Sequence, residues 1–190
     1  MAPTGAGAHN GTVDDWNVLA TSVEGARPIL LAWLRRHAPF RGGGYRNVAI
    51  GRVADVPAFL DTLRDDLARD PGRGAILGRV LPIERTLLLD PSDPLGSLEA
   101  AVEPLHGRRA GGSYFVRLER RGLRDALHSS DGERILGAVL WRALEAAGHT
   151  PRVSFRDPDA IVVIETLGER AGIGIIDRAL RSTYPFVRIR

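Results

Sequence analysis

The chain has 190 residues, 44% of them hydrophobic, enough for one medium or two small packed domains. It has no cysteine, which excludes disulfides, thiolate zinc sites and thiol catalysis; all 26 basic residues are arginine, which excludes Schiff-base lysines and a Walker-type lysine. Net charge is only +3, but six arginines face one Glu between Arg108 and Arg124, and Arg178 to Arg190 holds four arginines and no acid, a clustering that points to a polyanionic partner.

Residues 1–12, rich in Pro, Thr, Gly and Ala, read as a disordered tail without the apolar run of a secretory signal. No stretch approaches the length of a membrane span, so a cytoplasmic protein with no membrane partner is expected. Trp16 to Thr21 reads as a strand and Glu24 to His37 as a helix, with Ile29, Leu30, Trp33 and Leu34 at helical spacing. Pro39 and Gly42 to Gly44 stop it. Tyr45 to Val53 alternates as a strand. Asp55 then caps a helix to Ala68, with Pro57 in its first turn and Phe59, Leu60, Leu63 and Leu67 on one face. Asp70-Pro71-Gly72 ends that helix, and Ile76 to Ile83 is a further strand. The fold class is therefore α+β, opening with a ferredoxin-like βαβαβ domain over residues 13–90.

Asp90-Pro91-Ser92-Asp93-Pro94 marks the boundary with a second domain over residues 91–190. Leu95 to His106 reads as a helix and Arg108 to Ser113 as a Gly-rich loop. Tyr114 to Glu119 is a strand with Phe115 and Arg117 on one face and Tyr114, Val116 and Leu118 on the other. Ser130 and Glu133 match a capping box for a helix to Ala147, with Gly148 as the residue beyond its end. In Arg152 to Arg156, Val153 and Phe155 are expected to point inward and the arginines outward. Ala160 to Thr166 is apolar on both faces, as a central strand must be. Ile173 to Ile176 follows as a strand, Asp177 to Ser182 as a short helix, and Pro185 to Arg190 as a strand or extended tail.

Arginine presents a planar fork to two oxygens at once, so an exposed strand end carrying several is a phosphate-binding candidate. Arg117, Arg120, Arg121 and Arg124 form the first rank of RNA-binding candidates and Arg152, Arg156, Arg188 and Arg190 the second. Arg41 and Arg46 extend the surface from the first half. The basic strand ending Arg120-Arg121-Gly122, the helix opening at Ser129-Ser130-Asp131-Gly132-Glu133, the PDAIVVIE run from Pro158, the GIGII run from Gly172 and Thr183-Tyr184-Pro185-Phe186 together resemble the THUMP domain over roughly Leu95 to Arg190. THUMP is an α/β RNA-binding module of tRNA-modifying systems. With the βαβαβ segment before it, the whole resembles the stand-alone THUMP adaptors that present tRNA to a separate acetyltransferase making N4-acetylcytidine. The resemblance implies tRNA and that enzyme as partners, no catalytic residue, no cofactor, no metal, and a chain that is not itself an enzyme. A subunit for thiolation or methylation of tRNA and a protein-interaction module, docking through Asp61, Asp65 and Asp66, remain the alternatives.

Sites of chemistry within the chain are few. Arg69 to Gly74 fits R-x-x-G-x-G, a pyrophosphate loop of acetyl-CoA-dependent transferases, but there it follows a strand and opens a helix; here it follows a helix and opens a strand. The five histidines show no metal-binding spacing. Asp157 and Asp159 flank Pro158 and read as a turn rather than a carboxylate pair.

Overall fold

A computed structural model describes residues 16–108 and 112–189. The expected tail at 1–12, part of the Gly-rich loop and Arg190 lie outside the described residues. The first half forms β1 (Val18–Ser22), α1 (Arg27–Leu34), β2 (Phe40–Gly42), β3 (Val48–Gly51), α2 (Val56–Arg69), a 3-10 turn (Pro71–Ala75) and β4 (Leu77–Pro82). The strands make an antiparallel sheet in the order β2-β3-β1-β4. Asp55 caps α2 as read, accepting from the Ala58 N–H at 2.9 Å.

Strand β2 is an addition to the expected elements. Its anchor is tertiary: Phe40 is buried, stacks on Phe59 of α2 at 5.5 Å, and lies opposite Gly51, where a side chain would collide with the ring.

The second half adds β5 (Arg85–Leu88), α3 (Pro94–Val102), a 3-10 turn (Glu103–Arg108), β6 (Ser113–Glu119), α4 (Ser129–Ala146), β7 (Arg152–Val153), β8 (Ala160–Leu167), β9 (Arg170–Asp177) and α5 (Arg178–Thr183). Its sheet order is β5-β9-β8-β6-β7, with β6 parallel to both β7 and β8. β8 is central and buried at every position, as its two-sided apolar sequence requires. One face of this sheet, with Tyr114, Val116, Leu118, Val162 and Ile164, packs with residues of α3 and α4. The other face contributes Ile161, Val163 and Ile176 to the same core as Val18, Leu77 and Val80 of the first sheet. The two sheets thus share a hydrophobic layer. β5, absent from the elements expected of the sequence, already pairs with β9 before the Asp90–Pro94 turn.

Two local expectations are corrected. Ser130 does not cap α4: the N-cap residue is His128, without a side-chain cap, and Glu133 instead accepts from the Leu118 N–H at 3.0 Å. Val153 and Phe155 do not point inward: they are 50% and 78% exposed, because β7 pairs over only two residues and no element among the described residues covers it.

The R-x-x-G-x-G stretch folds as the turn between α2 and β4, and Asp66 gathers it. The buried Asp66 carboxylate accepts from Trp33 Nε1 at 2.6 Å, meets His37 Nε2 at 2.7 Å, and pairs with Arg69 at 3.0 Å and Arg73 at 3.1 Å. Arg73 also lies over the Trp33 ring. These contacts consume the loop's arginines and remove Asp66 from the acidic docking face; Asp61 and Asp65 pair with Arg64. Burial pushes the Asp66 carboxyl up, but the Trp33 and His37 hydrogen bonds and the Arg73 charge outweigh it and hold it below its usual 3.8. A depressed carboxyl stabilises the fold above its unfolded value and loses that contribution as pH falls through the folded one. Denaturant titrations between pH 5 and about pH 2 should therefore show a steeper loss of stability for the natural chain than for Asp66→Asn. Parallel curves would exclude this assignment.

Candidate nucleic-acid interface

Where β6 leaves the shared layer, the segment after α5 folds back beside it. Arg188 donates twice to the Gly78 carbonyl, at 2.9 and 2.7 Å, and the Val80 N–H donates to the Phe186 carbonyl at 2.9 Å, tying this segment to β4. Between the segment, β6 and the β7–β8 connection lies a groove of about 520 Å³ lined by Arg117, Arg156, Arg181 and Arg188 with Phe115 and Phe155. Arg181 donates to the Pro158 and Asp177 carbonyls. Carbonyl oxygens orient Arg181 and Arg188 without neutralising them, so both keep a full charge for an anion. Arg156 is exposed and has no hydrogen-bond or ion-pair partner among the described residues. Arg117 meets Glu133 at 3.5 Å, and its buried Nε has no partner among the described residues. The Phe155 ring packs against Phe115 with centroids 5.6 Å apart, offering an exposed flat surface among the guanidinium groups.

The structure brings three of the sequence-derived candidates, Arg117, Arg156 and Arg188, to this groove. It adds Arg181, which the acid-free run from Arg178 had signalled without singling it out. Arg152 is exposed on β7, outside the groove. Arg124 is exposed in the turn after β6, and Arg120 donates to the Gly122 carbonyl at 2.9 Å. Arg46 is exposed and pairs with Glu24 at 2.8 Å; Arg41 is exposed on β2.

Arg121 is engaged elsewhere. Its guanidinium reaches Glu165 of β8 at 2.5 Å and Glu119 at 3.5 Å. Glu165 also meets Arg79 of β4 at 2.7 Å, and both of these side chains are only 3% exposed. Burial pushes the Glu165 carboxyl up and the two arginines pull it back. The group is an ionic bridge between the sheets, and its charge is spent internally.

No family model matches the chain, and no curated protein matches it. Solved structures do. The fold is similar to TrmN from Thermus thermophilus, at 26% identity and a TM-score of 0.62, over 85% of this chain and 45% of that one. It is similar to a 4-thiouridine synthetase solved with RNA and bound ATP, at 14% identity and a TM-score of 0.50, over 85% of this chain and 41% of that one. SMU.472, complexed with SAH and put forward as a methyltransferase, matches with the same identity, TM-score and coverage. The chain thus spans less than half the length of each of these three. These neighbours support the THUMP resemblance. They overturn the expectation of a chain that is not an enzyme: the fold recurs within TrmN, at 26% identity, and within SMU.472, put forward as a methyltransferase and complexed with SAH.

Proposed function

We propose that this chain is the tRNA-binding part of a tRNA-modifying enzyme, and that the groove of Arg117, Arg156, Arg181 and Arg188 holds the RNA backbone. The observation that carries this reading is the convergence of four guanidinium groups and an exposed phenylalanine ring on one groove. The likeness to a synthetase solved with RNA supports it. Sulfur transfer and methyl transfer, the chemistries attached to the neighbours, rank ahead of N4-acetylcytidine formation with a separate acetyltransferase, for which the sequence resemblance is the sole support. The same reading takes the first sheet as a ferredoxin-like unit, supported by its β-α-β-β-α-β order, joined near Asp90 to a THUMP unit.

Binding of this kind rests on phosphates, 2′-hydroxyls and shape, and is steeply salt-dependent. Each arginine–phosphate pair removed should lower the log–log salt slope by roughly 0.7–0.9. Arg117→Ala/Arg156→Ala is expected to weaken tRNA binding and to reduce the slope by about 1.5 in a filter-binding salt series. An unchanged slope, or equal affinity for duplex DNA, sinks the groove as an RNA site. Arg121 is unsuited to this test, since its removal unbalances Glu165.

A further inference from the structure

Behind Phe155 the arginine groove adjoins a second cavity of about 440 Å³, set between β6, β7 and α4. Its walls are mostly apolar, with Val153, Trp141, Ala138 and Gly137 beside Ser130, Glu133 and Arg134, and Phe115 and Phe155 stand between it and the groove, lining both. Its floor is a strand edge. Residues two apart along a strand turn their N–H and C=O to the same edge. The Tyr114 carbonyl accepts from Ser154 N–H at 3.1 Å and the Leu118 N–H donates to Glu133 at 3.0 Å, both on the side of β6 away from β8. Val116 lies between them, so its N–H and C=O face that same side. β7 pairs only with Ser113 and Tyr114, and no strand among the described residues continues along this edge.

A donor and an acceptor side by side, at the floor of an apolar cavity with aromatic walls, match the hydrogen-bonding edge and the flat faces of one nucleobase. We propose that the cavity is a nucleobase subsite: it takes one unpaired base of the RNA whose phosphates lie in the adjoining groove, stacks it against the Phe155 and Trp141 side, and pairs its edge with Val116. Every base carries a donor beside an acceptor, so this pair registers that a base is unpaired more than which base it is. An extended peptide would also satisfy the strand edge, but the shared Phe115 and Phe155 wall makes the cavity continuous with a row of arginines, which suits a phosphate-linked ligand.

The proposal rests on the RNA reading above, and the test separates the two. The probes are a 12-nucleotide single-stranded RNA, the same backbone carrying abasic sites, and a peptide strand of alternating valines. The variant is Gly137→Leu: Gly137 lines the cavity and a Cβ there meets nothing within 4 Å, so a larger side chain can be started at this position, and leucine replaces a poor helix former. The natural chain should bind intact RNA about tenfold tighter than the abasic strand, since stacking of a single base accounts for a difference of that size. Gly137→Leu, with its melting temperature checked, should bring the intact RNA down to the abasic affinity. Equal binding of intact and abasic RNA, with a steep salt slope retained, overturns the base subsite and leaves the groove standing. Discrimination that survives in Gly137→Leu also overturns it, as does tight binding of the peptide alone. Failure to bind either RNA overturns both readings.

Discussion

Arg79→Ala is expected to lower the unfolding free energy by about 3–5 kcal/mol, read from urea denaturation. Arg79 and Glu165 are among the most buried charged side chains described, and the pair spans the two sheets, from β4 to β8. Removing the arginine leaves a carboxylate in the shared layer with Arg121 as its remaining close partner. The cost is the penalty of an under-compensated buried charge, not the worth of the pair itself. That distinction is testable in the same series. Arg79→Met/Glu165→Leu removes both charges and should recover most of the loss, since a buried pair replaced by apolar side chains is often close to neutral. If the double variant is no more stable than Arg79→Ala, the bridge contributes more than its desolvation cost. If Arg79→Ala is within about 1 kcal/mol of the natural chain, water reaches Glu165 and the sheets are not closed over it.

Gly174→Val should be comparably severe, at about 3 kcal/mol. β9 crosses the first sheet where β4 ends, and a Cβ at Gly174 would stand 2.2 Å from the Pro82 carbonyl oxygen. The obstructing atom belongs to the backbone, so no rotamer change relieves the clash; the sheets must separate or β9 must shift. Gly172 stands in the same relation to the Trp16 ring, with 2.2 Å to the nearest carbon, but there the obstacle is a side chain. Gly172→Ala should therefore cost less than Gly174→Val. A thermal melt that ranks them the other way would show that the closest approach of the sheets is at Trp16.

The elements legible in the sequence are those whose pattern is set by burial along their own length. β8 is apolar on both faces because it is covered on both, and α4 and α2 carry wide apolar stripes because each lies on a sheet. β2 and β5 escape such a reading for a shared physical reason: each is a short edge strand, held by contacts distant in sequence, Phe40 on Phe59 and Arg85–Leu88 against β9. The alternation in Arg152 to Arg156 misleads because neither side is covered: Arg152, Val153, Phe155 and Arg156 are all exposed, where β7 pairs over only two residues. The arginine cluster is legible as charge and illegible as availability. Arg121 and Arg117 sit four residues apart in one basic run, yet Arg121 is drawn to Glu165, 44 positions on, while Arg117 faces the groove. The weight of Arg181 depends on the chain returning to β6, which no local pattern announces.

That return has a bearing on biosynthesis. The first sheet is nearly finished once β4 has formed, but Gly78 and Val80 receive their partners only from Phe186 and Arg188, more than a hundred positions later. A chain emerging from the ribosome therefore carries an open flank on β4 until almost all of the described residues have been made. Two of the four guanidinium groups of the groove, Arg181 and Arg188, arrive with that last segment. On the proposed reading, the groove is completed only once Arg181 and Arg188 have been made, together with the closing of the first sheet. Nascent or prematurely released polypeptides would carry the aromatic wall, Arg117 and Arg156 without Arg181 and Arg188. Their uncovered flank would mark such fragments for chaperones or proteases, and on the proposed reading they would also bind RNA less well.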